Sequence, residues 1–288
     1  MAVYKRTYKG YSGGLTPTWS RFMILPRYSY ARLFRSKFLV IFLIACYIFP
    51  IGCAGYIYLA HNLSFLKAMG APASALKIDA DFFLTFCAFQ FVMSYLLTAF
   101  VGPGLVSPDL TNNALPLYLS RPFTRWEYVI GRMSVLLWLL SIITWVPGLL
   151  LFSVQSSLAG WDWMRDNLWL GAAIFVALFM WNLILSLLAV AVSAWIKWRV
   201  AAGAVIVAIF AIGAALGTVA NQVLHTHYGS LINLSEATNT IWREVFRTAQ
   251  LGRNISLTPV EAWLSIAGFC ALALWMLTRK VRAFEVVK

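Results

Sequence analysis

The sequence predicts an all-α integral membrane protein with six transmembrane helices, and three observations predict it. Of 288 residues, 61% are hydrophobic and only 11% are charged, whereas a soluble domain carries about 25% charged residues. Six apolar stretches reach the length of about 20 residues that a helix needs to cross the hydrocarbon core. The Lys and Arg residues sit between and beyond those stretches. A water-soluble enzyme, a disordered linker and a fibrous repeat are excluded by the same composition.

The chain divides into a cytosolic basic arm with an interfacial helix (1–37), a transmembrane domain (38–278) and a basic cytosolic tail (279–288). The spans fall at about 38–60, 83–106, 133–155, 168–196, 200–223 and 261–278. Residues 1–37 hold no apolar h-region near the start, so the first span is expected to direct insertion in place of a cleaved signal. Within the arm, residues 17–37 mix Trp19, Phe22, Leu25 and Phe34 with Arg21, Arg27, Arg32 and Arg35. That mixture predicts an amphipathic helix lying in the interface, a solvated basic arm being the alternative.

In the second span Gln90, Ser94 and Thr98 recur every four residues and line one helix face. Asn182, Ser186 and Ser193 do roughly the same in the fourth. They read either as interhelical hydrogen-bonding groups or as a mildly polar lining for a substrate path. Gly102, Pro103 and Gly104 end the second span, and Pro108 fits the first turn of a new short helix with Ser107 as its cap. Leu110, Leu115, Leu117 and Leu119 then form an apolar ridge on a loop that should face water, which suggests docking. Ser120-Arg121-Pro122 breaks the chain again, and Thr124 with Glu127 has the spacing of a capping box.

Pro103 and Pro147 mark kinks in spans two and three. The fifth span is rich in small residues, and Gly213 and Gly217 make a G-x-x-x-G pair that lets two backbones approach closely. Its partner is either another span or a second protomer. Beyond it, Ser235 can cap a helix whose Ile241, Trp242, Val245, Phe246 and Ala249 face one way, ending near Gly252.

Six spans put both termini on one side. That side carries 17 of the 23 Lys and Arg residues and only Asp109, Glu127 and Glu285 among the ten acidic ones. It is therefore net +14 and the far side net −1, so the positive-inside rule places both termini in the cytoplasm. Trp126, Trp161, Trp163, Trp169, Trp195, Trp198 and Trp263 lie near span ends, as interfacial anchors do. The net charge of +13 follows this topology, and nucleic acid binding is not expected. Cys46, Cys53, Cys87 and Cys270 all fall within apolar runs and read as small buried hydrophobes.

The spans hold no Asp, Glu, Lys, Arg or His near their midpoints, where ion-coupled carriers place an ionisable group. The chain has no phosphate loop, no nucleophile–base grouping and no zinc spacing. His225 and His227 alone make a weak metal site. No catalytic residue and no metal ligand is expected, and the chain is read as not an enzyme. Energy for uphill transport would have to come from another subunit.

The segment after span two resembles the transmembrane subunit of ATP-binding-cassette (ABC) exporters of the type-2 kind. That family has six spans with cytoplasmic termini, a connecting helix before span one, and a short coupling helix after span two. The coupling helix leads into a leucine-rich stretch, a Ser/Thr-x-Pro, an Arg, and a Gly-Lys opening span three. Here those positions read Leu115, Leu117 and Leu119, then Ser120-Arg121-Pro122, Arg125 and Gly131-Arg132. The sequence departs from the pattern with Asp109 alone, followed by Asn112, Asn113 and Pro116, in place of several acidic residues and a Gly, and with Arg132 in place of Lys.

The resemblance implies a permease subunit in a bacterial cytoplasmic (inner) membrane, paired with a like or unlike permease protomer. A separate ATPase subunit would bind ATP and Mg and dock through Asp109, Leu110, Asn112, Asn113, Leu115, Leu117, Leu119, Arg121 and Arg125. This chain itself would bind no cofactor. The substrate path would pass Gln90, Ser94, Thr98, Asn182 and Ser186. The helix between spans five and six would dip into the outer leaflet. The rival is a non-transporting scaffold that anchors a larger complex, which shares the composition and the docking ridge.

Overall fold

The computed structural model describes residues 23–62, 76–112, 124–248 and 257–280. Among them every regular element is helical. In chain order these are α1 (Ile24–Leu33), α2 (Lys37–His61), α3 (Ala80–Val101), α4 (Pro103–Thr111), α5 (Arg125–Ile143) and α6 (Trp145–Ala159). They are followed by α7 (Trp161–Asp166), α8 (Leu168–Trp195), α9 (Arg199–Leu224), a 3-10 turn (Tyr228–Ile232), α10 (Leu234–Val245) and α11 (Pro259–Lys280). Six helical stretches are long and apolar enough to cross a membrane: Lys37–His61, Ala80–Asp109, Trp126–Ala159, Leu168–Trp195, Arg199–Leu224 and Pro259–Lys280. This is the architecture of a multi-pass membrane protein.

The bundle is organised around α8, which packs against α3, α4, α5, α6, α9, α10 and α11. Its Ala177, Leu178, Trp181, Asn182, Leu185 and Ser186 are all fully buried. The outer helices bury a single stripe. In α2 it runs Leu39, Cys46, Pro50, Cys53 and Ile57, at the three- and four-residue spacing of one helix face, while Ile41, Ile44, Ile48 and Ile51 point outward. Apolar side chains on that outer face are what a lipid-facing helix carries.

Successive long helices alternate in direction, so that one end of the bundle gathers the basic residues. There the Arg199 guanidinium donates to the Phe100 carbonyl (3.3 Å), the Trp195 indole N–H donates to the Met276 carbonyl (3.0 Å), and the Lys280 ammonium lies 5.5 Å from the Trp195 ring. Arg132 meets α1 and α4 at the same end.

Two spans are interrupted. Between α3 and α4 only Gly102 intervenes, with helical backbone (φ −51°, ψ −47°) and its N–H bonded to the Thr98 carbonyl. Pro103 then takes the first position of α4, where its missing N–H costs nothing. The expected start at Pro108 with Ser107 as cap is therefore too late by about 1.4 turns. Ser107 lies inside α4, buried, and its hydroxyl reaches the Ile196 carbonyl at 2.7 Å and the Ser193 carbonyl at 3.2 Å. A tertiary partner on α8 claims the side chain that sequence logic assigned to a cap.

The second interruption is Thr144 (φ −108°, ψ −91°), between α5 and α6. Pro147 has no N–H to give the Ile143 carbonyl, so the ladder opens here, as the position of Pro147 predicts. The Tyr47 hydroxyl of α2 donates to the neighbouring Ile142 carbonyl at 2.7 Å.

The start of α5 is a capping box, as the sequence predicts. The Glu127 N–H donates to the Thr124 hydroxyl (3.3 Å) and the Thr124 N–H to the Glu127 carboxylate (2.6 Å). The amphipathic helix expected over 17–37 is shorter. α1 covers Ile24–Leu33 and ends before Ser36, the residue that precedes α2, while residues 17–22 lie outside the described residues. It buries Leu25 and leaves Arg27, Arg32 and Arg35 outward beside Tyr28 and Phe34.

After α9 the chain turns back on itself. His225 closes the helix in the left-handed conformation (φ 48°). The 3-10 turn then runs down the face of α9, where a Cβ on Gly217 would lie 2.8 Å from the Gly229 carbonyl and one on Gly213 would lie 2.9 Å from the Ile232 carbonyl. Gly213 stands 11 residues from the end of α9, about 16 Å along the helix at 1.5 Å per residue. The close-packing partner of the G-x-x-x-G pair is thus this returning segment of the same chain. Asn221 fastens it, donating to the Ser230 hydroxyl and accepting from the Gly229 N–H, both at 2.8 Å.

Helix α10 then climbs outward, from Leu234 to Val245, and just past it the Arg247 guanidinium lies 4.8 Å from the ring of Trp169 at the start of α8. The Asn233 side chain caps α10 by accepting from the Glu236 N–H, so the helix begins one to two residues before the cap expected at Ser235. Ile241, Trp242 and Phe246 are buried, and Ala249 and Gly252 lie outside the described residues.

Candidate functional site

Two places collect the polar side chains that the sequence singles out. The first is the junction of α1, α4 and α5 at the basic end. Asp109, on α4, forms an ion pair with Arg132 on α5 and accepts a hydrogen bond from the Tyr128 hydroxyl at 2.7 Å. Arg132 also donates to the Ser29 hydroxyl of α1 at 3.0 Å. The two charged side chains are only 9% and 12% exposed. A pair so enclosed is costly to break from one side, because the remaining charge stays buried.

The next residue of α1, Tyr30, donates to the Val135 carbonyl at 3.1 Å, and burial pushes its phenol up to about 12. Behind the junction, the Ser193 hydroxyl of α8 accepts from the Ser107 N–H (3.0 Å) and the Val106 N–H (3.2 Å). Helix α4 is therefore tied on one side to α5 and α1, and on the other to α8.

Of the residues assigned to docking, Asp109 turns inward into this junction. Leu110 lies in α4, Asn112 is exposed just past it, and Arg125 opens α5. Asn113, Leu115, Leu117, Leu119 and Arg121 lie outside the described residues. Sequence reasoning missed Ser29 and Tyr128 as partners, while Ser193 is among the span-four residues it reads as interhelical hydrogen-bonding groups. The signal available to it was Arg132, a charge at the opening of the third span.

The second place is the centre of the bundle. Gln90, Ser94, Thr98, Asn182 and Ser186 are all fully buried within the single chain. The Trp181 indole donates to the Ser94 hydroxyl (2.9 Å), and the Asn182 amide donates to the Thr144 hydroxyl (2.8 Å). Ser94 and Thr98 spend their own protons on carbonyls of α3, at Phe91 and Ser94. The stacked rings of Phe91 and Trp181, 4.1 Å apart, and the edge of Trp242 close this layer on the α10 side. The Trp242 N–H reaches the Ala177 carbonyl at 3.1 Å, about 13 Å along α8 from Leu168.

Chemically, neither place offers a nucleophile with a base. Among the described residues no three His, Cys, Asp or Glu side chains gather as metal ligands. His227 instead faces Glu261, 3.6 Å away. Neither a family model nor a curated protein matches the chain.

Proposed function

We propose that the chain is the permease subunit of an ABC exporter of the type-2 kind, worked by a separate ATPase. The observation that carries this reading is the junction around Asp109. Helix α4 itself is anchored to the first turns of α5, through Arg132 to α1, and to the end of α8. A push on the loop after α4 would therefore be delivered to spans two, three and four together. A side chain network of this kind suits a mechanical input at the basic end, which the charge distribution assigns to the cytoplasm.

The rest of the molecule accords with that role. The segment between α9 and α11 returns from the far end to a depth of about 16 Å, the geometry of a re-entrant element in the outer leaflet. An uncharged interior favours amphipathic or membrane-embedded cargo over ions. A second permease protomer, like or unlike, would complete the path, and the ATPase would hold the ATP and Mg.

The test is affinity purification of the tagged chain from native membrane, with mass spectrometry of its partners, beside a Leu115→Asp, Leu117→Asp variant. An ATPase carrying a phosphate loop is expected with the wild-type chain and lost from the variant. Recovery of a different stable partner, with no ATPase, would overturn the transporter reading in favour of a scaffold.

A further inference from the structure

We infer that the groove between α2 and α3 binds one acyl chain of a phospholipid, from the leaflet at the end of the bundle opposite the basic residues. The groove has a volume of about 590 Å³. Ala45, Phe49, Gly52 and Tyr56 line it from α2, and Phe82 and Phe89 from α3. On α2 these positions recur at three- and four-residue spacing and so form one helix face. Phe82 and Phe89 stand two turns apart on α3.

Two aromatic stacks join the helices and give the groove its walls. The Phe49 ring lies 4.1 Å from that of Phe89 and the Tyr56 ring 5.3 Å from that of Phe82, at interplanar angles of 20° and 16°. Between the stacks stands Gly52, where a Cβ would meet nothing within 4 Å. The middle of the groove is therefore the place of a side chain that Gly52 lacks. Ala45 and Gly52 are exposed, so the groove opens on the outer face of a membrane-length helix. What meets that face is either hydrocarbon or another protein helix.

The dimensions decide between these two. Ala45 and Tyr56 stand about 12 Å and about 28 Å along α2 from Lys37, at 1.5 Å per residue. The groove is thus about 16 Å long and lies in the half of the span away from the basic end. One leaflet of a hydrocarbon core about 30 Å thick has a depth of about 15 Å. Spread over its length, the volume gives a cross-section of roughly 37 Å². A helix about 10 Å across needs about 80 Å², so a partner helix cannot enter the groove, while a single hydrocarbon chain can lie along it. The one hydroxyl of this lining, on Tyr56, stands at the outer end, toward the depth at which a phospholipid's chains meet its ester groups.

Lipid tails are as apolar as these side chains, so no hydrophobic gain draws the chain in. Contact favours it instead. An unfilled groove forfeits the dispersion energy of its walls, and the stacked rings form those walls before the ligand arrives. The site depends on the spans alone, so it stands or falls separately from the ATPase partner.

The test is photolabelling of the intact chain in nanodiscs containing a phosphatidylcholine with a diazirine midway along one acyl chain, followed by mass spectrometry of the peptides. Residues 45–56 and 82–89 are expected to carry several-fold more label than the faces around Ile212 and Leu216 of α9 and Leu264 and Leu272 of α11, which are also exposed. Gly52→Leu fills the groove from its own wall and should bring its labelling down to the level of those faces. Ala45→Leu, at the inner end, repeats the test with a smaller drop. Gly268→Leu on α11, where a Cβ also meets nothing within 4 Å, should leave the pattern unchanged. Label in the groove no denser than on α9 and α11 would overturn the inference, and so would an excess that survives Gly52→Leu. Label sparser there than on those faces, the result if a second copy or another segment covers the groove, would overturn it as well.

Discussion

Replacing Arg132 with Met removes the guanidinium and keeps most of the side-chain volume. Two groups lose a partner at once, the Asp109 carboxylate and the Ser29 hydroxyl, and with them goes the link between α1, α4 and α5. The Tyr128 hydroxyl still donates to Asp109, so the carboxylate is not wholly stranded. Removing one partner of a buried ion pair costs about 3–5 kcal/mol. With the surviving Tyr128 bond, a loss near the lower end, about 3 kcal/mol, is expected. At about 2–4 °C per kcal/mol for a chain of this size, that is a fall of roughly 6–12 °C in melting temperature.

The assay is thermal unfolding of the purified protein in one detergent, beside Arg27→Met, which changes an exposed arginine of the same junction helix. The control should stay within about 2 °C of wild type. The double variant Asp109→Leu, Arg132→Met should recover part of the loss, because it leaves no uncompensated charge. If Arg132→Met melts with the Arg27→Met control, the pair does not hold the junction together. The reasoning that places coupling there would fail with it.

Two further outcomes follow from the packing. Gly217→Val places a branched side chain where even a Cβ would lie 2.8 Å from the Gly229 carbonyl. It should cost about 1–3 kcal/mol and expose the 228–233 segment to proteolysis, whereas Gly268→Val, where a Cβ would meet nothing within 4 Å, should leave the digestion pattern unchanged. Thr124→Ala removes one half of the capping box at the start of α5 and should lower stability by about 0.5–2 kcal/mol, with Thr124→Ser restoring most of it.

Much of the architecture was legible because hydrophobic length is a local property. Each of the six spans contains a run with too few charges to remain in water, and their ends move by only a few residues between sequence and structure, apart from the third span, which starts at Trp126 where about 133 is expected. The capping box at Thr124 and Glu127 is likewise local, since both partners sit three residues apart. The break near Pro147 follows from a missing N–H, which no tertiary context restores. Where expectation and structure part, a distant residue intervenes. Ser107 looks like a cap and is instead held by the carbonyls of Ser193 and Ile196, and Asp109, read from the sequence as a docking acid, finds a partner in Arg132 that its own helix does not supply.

The sequence by itself determined that this is a helical chain with six membrane-length spans, where two of them bend, and which residues are polar inside them. Only the tertiary structure decided which polar atoms find partners. It gave Gly213 and Gly217 a returning segment of their own chain to pack against. It also left Gln90 enclosed, with both ends of its amide lacking a hydrogen-bonding partner among the described residues. The physical reason is range. Hydropathy, capping and proline chemistry act within a turn or two of one helix, and the sequence records them. Hydrogen bonds between Trp181 and Ser94, or Asn182 and Thr144, depend on the registers of three helices against one another. Those registers are fixed by packing around α8, a property of the whole bundle that no single segment encodes.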